Sequence, residues 1–505
     1  MTRFGWLDYT IFVVYLAASV LIGVLFVKEQ KSVKDYFLAG RGMGYITVAI
    51  SVLAALFSGI SFLGAPAEVY AHGMAFILFG ASFFIATPIT NLVFIPVFHH
   101  ARTYTAYQYL EERFSVQVRM LSSALFILRV LLWLALATYA PALALEQVTG
   151  LPLWFTILCT GVLTTIYTAL GGMKAVIWTD VMQFIVLIGG QLIILLIAIS
   201  HVPGGISGVY DLGQAAHKFD LSLSFDPKVR VTLWGLLLGG AAINLVQMAT
   251  DQVSVQRYLT APNVKEAKRA LWLKLWLLIP VFLIFYATGI VLWAFYQTKG
   301  DPLAAGLITK PDQILPYFVI NEMPAGLPGL LIAAIYAASM STTSAGINAL
   351  TTATLVDFHQ RWWRNSKDAE GVKLNLARWL TFGYGILVMV LAFVVERLGS
   401  LLEASNKAIG MVGGPLLGLF LLGILVQRAN TIGAITGWVA GVVALVPVCF
   451  FSESFLWLKT SFLWYGVIGC GVTMLIGWLA SLLFATPQGT QTGHAQPPLQ
   501  TQDRD

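Results

Sequence analysis

Apolar residues run along this chain in long continuous blocks and show no strand-like alternation. Blocks of about twenty residues suit a helix that crosses a bilayer. Thirteen such spans are predicted, near 7–27, 45–70, 74–98, 119–148, 152–170, 176–200, 232–257, 272–296, 327–358, 376–396, 404–427, 431–452 and 461–484. Outer-membrane barrels would instead alternate apolar and polar positions. The polar connections are short, except 201–231 and 297–326, where Gly, Pro, Asp and Lys predict small caps outside the bilayer. Alternate sides of the membrane divide the basic residues unevenly. One set of loops (28–44, 99–119, 171–175, 257–274, 359–378, Arg428 and the tail) holds 20 Lys and Arg, and the other set holds 8. The excess of positive charge marks the cytoplasmic side, so the N-terminus is expected outside and the C-terminus inside.

One block differs from the rest. Leu330 to His359 is long enough to cross a bilayer, yet its middle is small and hydroxylated. Ala338, Ser341 and Thr342 are spaced i, i+3 and i+4 on one helix face, and Ser341, Ser344 and Ala345 repeat that spacing a turn later. Hydroxyl oxygens stacked on one face suit a small hard cation. Small residues also let membrane helices pack closely. From this block alone both readings stand.

Breakers mark two further spans. The second contains Ser58-Gly59 and Gly64-Ala65-Pro66; glycine permits unwinding, and proline lacks an amide donor. Irregular backbone at membrane depth is tolerated where it is buried or lines a cavity, and it frees carbonyl oxygens. The eleventh contains Gly410, Gly413-Gly414-Pro415, Gly418 and Gly423, which suits a bending helix. Ionisable residues near or within the apolar blocks are few: Glu68, Arg129, Asp180, Asp251, Glu403 and Lys407. Such residues mark candidate function in a membrane. Glu68 and Glu403 fall near outer span ends and are expected to be solvated. Arg129 is deeper; it can bind a substrate carboxylate or snorkel toward the cytoplasm, and snorkelling is the expected outcome.

Composition sharpens the class. The chain has 505 residues, 58% hydrophobic and 11% charged, against roughly a quarter charged in soluble domains. It reads as an all-α polytopic membrane protein. The net charge of +6 sits in loops, where it sets topology and gives no sign of a nucleic-acid partner. Cys159, Cys449 and Cys470 lie in predicted spans without metal spacing. The first span is flanked by Asp8, Lys28 and Lys31 and reads as retained, not cleaved. Residues 1–485 form one transmembrane unit, and the Gln-, Pro- and Thr-rich tail 486–505 is expected to be disordered. No HExxH motif and no GxSxG elbow occurs in the predicted spans, so enzymatic activity is not expected.

Three stretches carry a family likeness. ALGGMKAVIWTDVMQF (169–184), TDQVSVQRYLTAPNVKEAKRA (250–270) and ASMSTTSAGINALTTATLVD (338–357) resemble blocks of the sodium:solute symporter family. LGAPAEVYAHG (63–73), YAPALALEQVTGLPLW (139–154) and MSTTSAGIN (340–348) are similar to the branch that carries iodide, short monocarboxylates and vitamins. The resemblance implies a leucine-transporter-like fold of two inverted five-span repeats, spans 45–200 and 232–427, with three added spans. Binding in such folds lies near the midplane, at breaks in the first helix of each repeat.

Carried across residue by residue, the family's Na⁺ site falls on the carbonyls of Ala54, Phe57 and Ala338 and the hydroxyls of Ser341 and Thr342. A second Na⁺ position of some members falls on Asp180, Ser341, Ser344 and Ala345; Ala345 offers no side-chain oxygen. The substrate pocket falls on Ser61, Phe62, Gln247, Thr250 and Asp251, with Arg129 as a further carboxylate contact. A sugar-contacting glutamine of hexose carriers is replaced by Ser61, which argues against a hexose. Tyr70, Trp133 and Tyr139 can gate the pocket or simply pack.

The expected function is Na⁺-coupled import of a small, carboxylate-bearing solute by alternating access. The partners are Na⁺, that solute and the lipid bilayer. The expected setting is a cell membrane, of the bacterial inner-membrane type. Two alternatives remain at this point: a proton-coupled transporter of the same fold, with Asp180 or Asp251 as carrier, or a membrane sensor without net transport.

Overall fold

The computed structural model describes residues 5–101, 103–324, 326–362, 370–394, 401–450 and 459–484. The side chains of Glu403 and Lys407 and the tail 486–505 lie outside the described residues. Every regular element among them is helical. In chain order these are α1 (Trp6–Leu25), α2 (Val33–Leu38), α3 (Tyr45–Leu56), α4 (Gly59–His72), α5 (Met74–His100), α6 (Tyr107–Arg113), α7 (Val116–Thr149), α8 (Leu153–Ser200) and α9 (Gly205–Ala215). They continue with α10 (Gly235–Thr250), α11 (Gln252–Leu259), α12 (Val264–Lys299), α13 (Ile314–Glu322), α14 (Leu327–His359), α15 (Glu370–Ala392), α16 (Leu401–Leu425), α17 (Thr431–Phe450) and α18 (Phe462–Leu483).

Nine helices among the described residues are long and apolar enough to cross a membrane unaided. Of the other expected spans, the fifth and sixth share α8 and the second and seventh are interrupted, and the interruptions have local causes. The second span splits at Phe57 (ψ 86°) and Ser58 (ψ 173°) into α3 and α4. This is the Ser58-Gly59 break expected from sequence. Pro66, by contrast, is carried inside α4. The seventh span stops where Asp251 turns to an extended conformation (φ −85°, ψ 120°) and caps α11 by accepting from the Val253 amide. Val246–Thr250, just before it, is wound as π-helix, a form that recurs at functional sites. α8 holds two expected spans, separated at Gly172. Its φ of +57° is left-handed, and a Cβ there would meet Gln30 Oε1 and Tyr36 O at 2.8 Å, so only glycine fits. In the eleventh span α16 runs as helix past Pro415.

Burial sorts the helices. In α1, 22% of the most apolar window is covered by other protein, and Val13, Val14 and Leu21 are exposed, as suits a lipid-facing helix. In α14 the figure is 94%. α14 packs against α8, α7, α1, α15, α4 and α3 and is the axis of the molecule. Its small residues permit this: a Cβ on Gly346 would come within 2.5 Å of Leu134. The packing reading of this block is therefore fulfilled, and it brings the hydroxyls of α14 against the break between α3 and α4.

α2 folds into the loop before α3, with Tyr36 and Phe37 fully buried. The chain then passes through three left-handed residues, Ala39, Gly40 and Arg41, and bends by 113° into α3. The two longest connections carry the short helices α9 and α13.

Candidate functional site

The site is built on two interrupted helices. At the first break the last carbonyls of α3 lack amide donors from their own helix. α14 meets them there. Thr342 Oγ1 donates to Ala55 O at 3.3 Å. Ser341 Oγ, one residue earlier, donates to Asp180 Oδ1 at 2.5 Å. A hydroxyl that donates its hydrogen keeps its lone pairs, so both oxygens remain able to face a cation. Ala54 and Ala338 are buried beside them, and the Phe57 ring packs on Phe282 and Phe285 at 5.6 and 5.3 Å. The five residues expected at the first Na⁺ position thus come from two helices that touch at the break.

Asp180 sits below this point with no solvent exposure. Its Oδ2 accepts from Ser51 Oγ at 2.5 Å and from an Arg257 terminal nitrogen at 2.9 Å. Arg257 is equally buried; its Nε donates to Ser51 at 2.7 Å and its other terminal nitrogen to Val253 O at 2.8 Å. This ties α3, α8, α11 and α14 into one network. Ser344, the other residue expected near Asp180, donates to Ser341 O at 3.0 Å.

The second break carries charge. Arg129 on α7 pairs with Asp251 at 2.7 Å, and the two side chains are 1% and 5% exposed. The expectation that Arg129 snorkels is corrected here. A buried carboxylate at the break offers a stronger partner than distant solvent. Arg129 Nε has no acceptor. Arg129, Asp251 and Gln247 line a small cavity with Ala55, Leu56, Trp133, Val253 and Ser254. Its volume is about 20 Å³, room for about one water.

The other expected pocket residues fall elsewhere. The Thr250 hydroxyl donates to Val246 O at 2.9 Å, and its carbonyl accepts from Tyr107 at 2.9 Å. Phe62 packs edge-on against Phe285 at 5.7 Å, and Ser61 beside it on α4 is half-buried; neither lines the cavity. Glu68 is not solvated: Arg230 grips both its oxygens at 2.7 Å. Tyr70 donates to Asp301 at 2.6 Å.

A helix pair broken at facing positions, with neutral oxygens at one break and charges at the other, is an arrangement for moving an ion together with a solute. The family model for "Sodium:solute symporter family" matches residues 36–441. The chain belongs to that family.

Individual symporters agree. The chain is 37% identical to the sodium-dependent multivitamin transporter of Oryctolagus cuniculus over 452 residues, covering 88% of this chain and 70% of the relative. It is 36% identical to the sodium-coupled monocarboxylate transporter 1 of Homo sapiens, covering 86% and 72%. Among solved structures it is similar to a substrate-bound, outward-open Na⁺-coupled sialic acid symporter, with a TM-score of 0.86, 33% identity and coverage of 95% and 98%. It also shares the fold of a nucleobase-cation-symport-1 family transporter, at a TM-score of 0.57, 15% identity and coverage of 88% and 93%. The protein is a multi-pass membrane symporter of the leucine-transporter type, coupled to Na⁺ and working by alternating access, and not an enzyme.

Sequence reasoning missed Arg257, Ser51 and Tyr107. Arg257 lies in one of the family-like blocks and reads there as a basic residue of a cytoplasmic turn. Nothing local shows that α11 tucks it inward.

Proposed function

We propose that this symporter imports a small monocarboxylate, and that Arg129 receives the carboxylate. The observation that carries this is the unpartnered Arg129 Nε beside a cavity at the second break. Arginine presents a planar fork that matches a carboxylate in two parallel hydrogen bonds. Asp251 holds part of that fork. An incoming carboxylate takes the free nitrogen and competes with Asp251, while Gln247 and Trp133 line the same space. Ser61, Phe62 and Thr250 take no part in this reading. Relatives named for monocarboxylates and vitamins support the substrate class.

The Na⁺ is held at the first break by the carbonyls of Ala54, Phe57 and Ala338 and the hydroxyls of Ser341 and Thr342. Asp180 polarises Ser341 from behind through the 2.5 Å hydrogen bond. Na⁺ there joins α3 to α14 and favours the outward-open arrangement; solute binding then favours closure. Coupling requires that each ligand bind one arrangement better than the other. The membrane potential adds about 2.3 kcal/mol per charge per 100 mV to inward movement. Asp180 and Ser344 mark a candidate second ion position. The two structural repeats are 45–200 and 232–427, the basic face is cytoplasmic, and the N-terminus is outside a cell membrane of the bacterial inner-membrane type.

The test is uptake into proteoliposomes of a panel of monocarboxylates and their matched amides, with Na⁺ or choline outside. Na⁺-dependent uptake of a carboxylate and not of its amide is expected. Equal uptake in choline, or equal uptake of the amide, contradicts the reading.

A further inference from the structure

One basic residue inside the bundle belongs to neither break. Counted along the chain, Lys274 falls in the cytoplasmic loop 257–274, but α12 starts at Val264 and carries it well into the helix. Lysines near a helix end reach solvent along their stems; Lys274 has no solvent exposure. Its ammonium lies 3.5 Å from Met248 Sδ and 4.2 Å from the centre of the Phe83 ring. Among the described residues no carboxylate pairs with it. A buried charge is costly unless it is paired. The buried arginines observe this rule: Arg119, Arg129 and Arg257 each have an aspartate. Lys274 is the exception among the described residues.

The atoms around the ammonium are poor acceptors. Phe83 and Thr87, four residues apart, share a face of α5, and this face meets Met248 of α10 and Lys274 of α12. The Thr87 hydroxyl also points to Met248 Sδ, at 4.0 Å. Two strong donors thus converge on one thioether, which is a weak acceptor. Phe83 offers only the face of its ring. Asn91 Oδ1 and Asn244 Oδ1, a turn away on α5 and α10, are buried without a donor, so the ammonium does not reach them. A positive charge, a hydroxyl hydrogen and apolar walls suit one small monovalent anion and repel a cation. A halide ion is close in size to a thioether sulfur, so it fits where Met248 Sδ now lies. Met248 is free to yield: its side chain is unbranched, and its backbone lies in the π-wound stretch Val246–Thr250.

We propose that the chain binds one chloride ion between α5, α10 and α12, held by the Lys274 ammonium and the Thr87 hydroxyl. The ion gives Lys274 the counter-charge that aspartates give the buried arginines. Its position is behind the second break. Gln247 lines the solute cavity, and Met248, next in the chain, turns to Lys274. None of the residues proposed for Na⁺ or for the carboxylate holds the anion, so the inference goes beyond that reading.

The test is equilibrium binding of radiolabelled chloride to the purified full-length chain, in sodium methanesulfonate and without solute. The parent is expected to bind one chloride per chain, saturably, and Lys274→Met none. Thr87→Val loses one hydrogen bond to a charge and should bind roughly tenfold more weakly or worse. Excess acetate should leave the label in place. A parent that binds no chloride overturns the proposal and leaves Lys274 an uncharged amine. Lys274→Met that binds like the parent overturns it too, and so does acetate that displaces the label, which assigns the position to a carboxylate. If Lys274→Met does not fold, the parent and Thr87→Val still decide. Because the readout is chloride alone, a wrong carboxylate or Na⁺ assignment leaves the result untouched.

Discussion

Two of the three buried arginine–aspartate pairs among the described residues lie beside the helix breaks, and their differences separate a pair that can receive a ligand from a brace. Arg257–Asp180 and Arg129–Asp251 are both buried, at 2.9 and 2.7 Å. Around the first, each Arg257 nitrogen has an acceptor and both Asp180 oxygens have donors. Around the second, Asp251 is divided between Arg129 and the cap of α11, Arg129 Nε has no acceptor, and a cavity adjoins. The chemical types are the same. Residual hydrogen-bonding capacity and adjoining space decide which pair can receive a ligand. A saturated pair transmits position between helices; an unsaturated one can exchange partners.

The largest expected effect breaks the brace. Arg257→Met leaves Asp180 charged and buried without its counter-charge, at a cost of about 3–5 kcal/mol. Thermal unfolding in detergent should show a steep loss of stability, largely recovered by adding Asp180→Leu, while Na⁺-dependent uptake stays lost. If Arg257→Met unfolds like the parent, the two pairs do not differ as described. Next is Arg129→Lys, which keeps the charge beside Asp251 and removes the fork. A charge-assisted hydrogen bond contributes about 1.5–3 kcal/mol, so the half-saturation for solute should rise roughly 10- to 100-fold, with Na⁺ binding unchanged. An unaltered solute affinity would place Arg129 among the braces. The smallest effect belongs to Thr250→Val. Its hydroxyl bonds to its own helix at Val246 O, so stability should change by less than about 1 kcal/mol and uptake should stay near the parent's. A strong uptake defect would return Thr250 to the pocket.

Much of this was legible in the chain. The break at Ser58-Gly59, the hydroxyl face of Ser341 and Thr342, and the long apolar blocks are local signals, and they appear where the residues put them. The expected break at Pro66 failed for a physical reason. One proline removes one helical hydrogen bond, and a helix continues when its neighbours support it; here α12 brings Gly289 close against Pro66. Glu68 looked solvated because its partner, Arg230, stands 162 positions away. A separation of 77 positions likewise hid Arg257 from Asp180. Polar residues scattered through apolar spans show no period of their own, and their meaning depends on which helices meet.

The central claim is that Na⁺ sits where α14 meets the first break and that its binding is linked to the carboxylate at the second. The most direct test is thermal stability of the purified protein with a transported monocarboxylate, in Na⁺ and in choline. The parent is compared with the Ser341→Ala, Thr342→Ala double variant. A ligand that binds the folded chain raises its melting temperature by mass action. The parent should show a carboxylate-dependent rise only in Na⁺, and the double variant should show none in either salt. A double variant that keeps the full Na⁺-dependent rise would contradict the account.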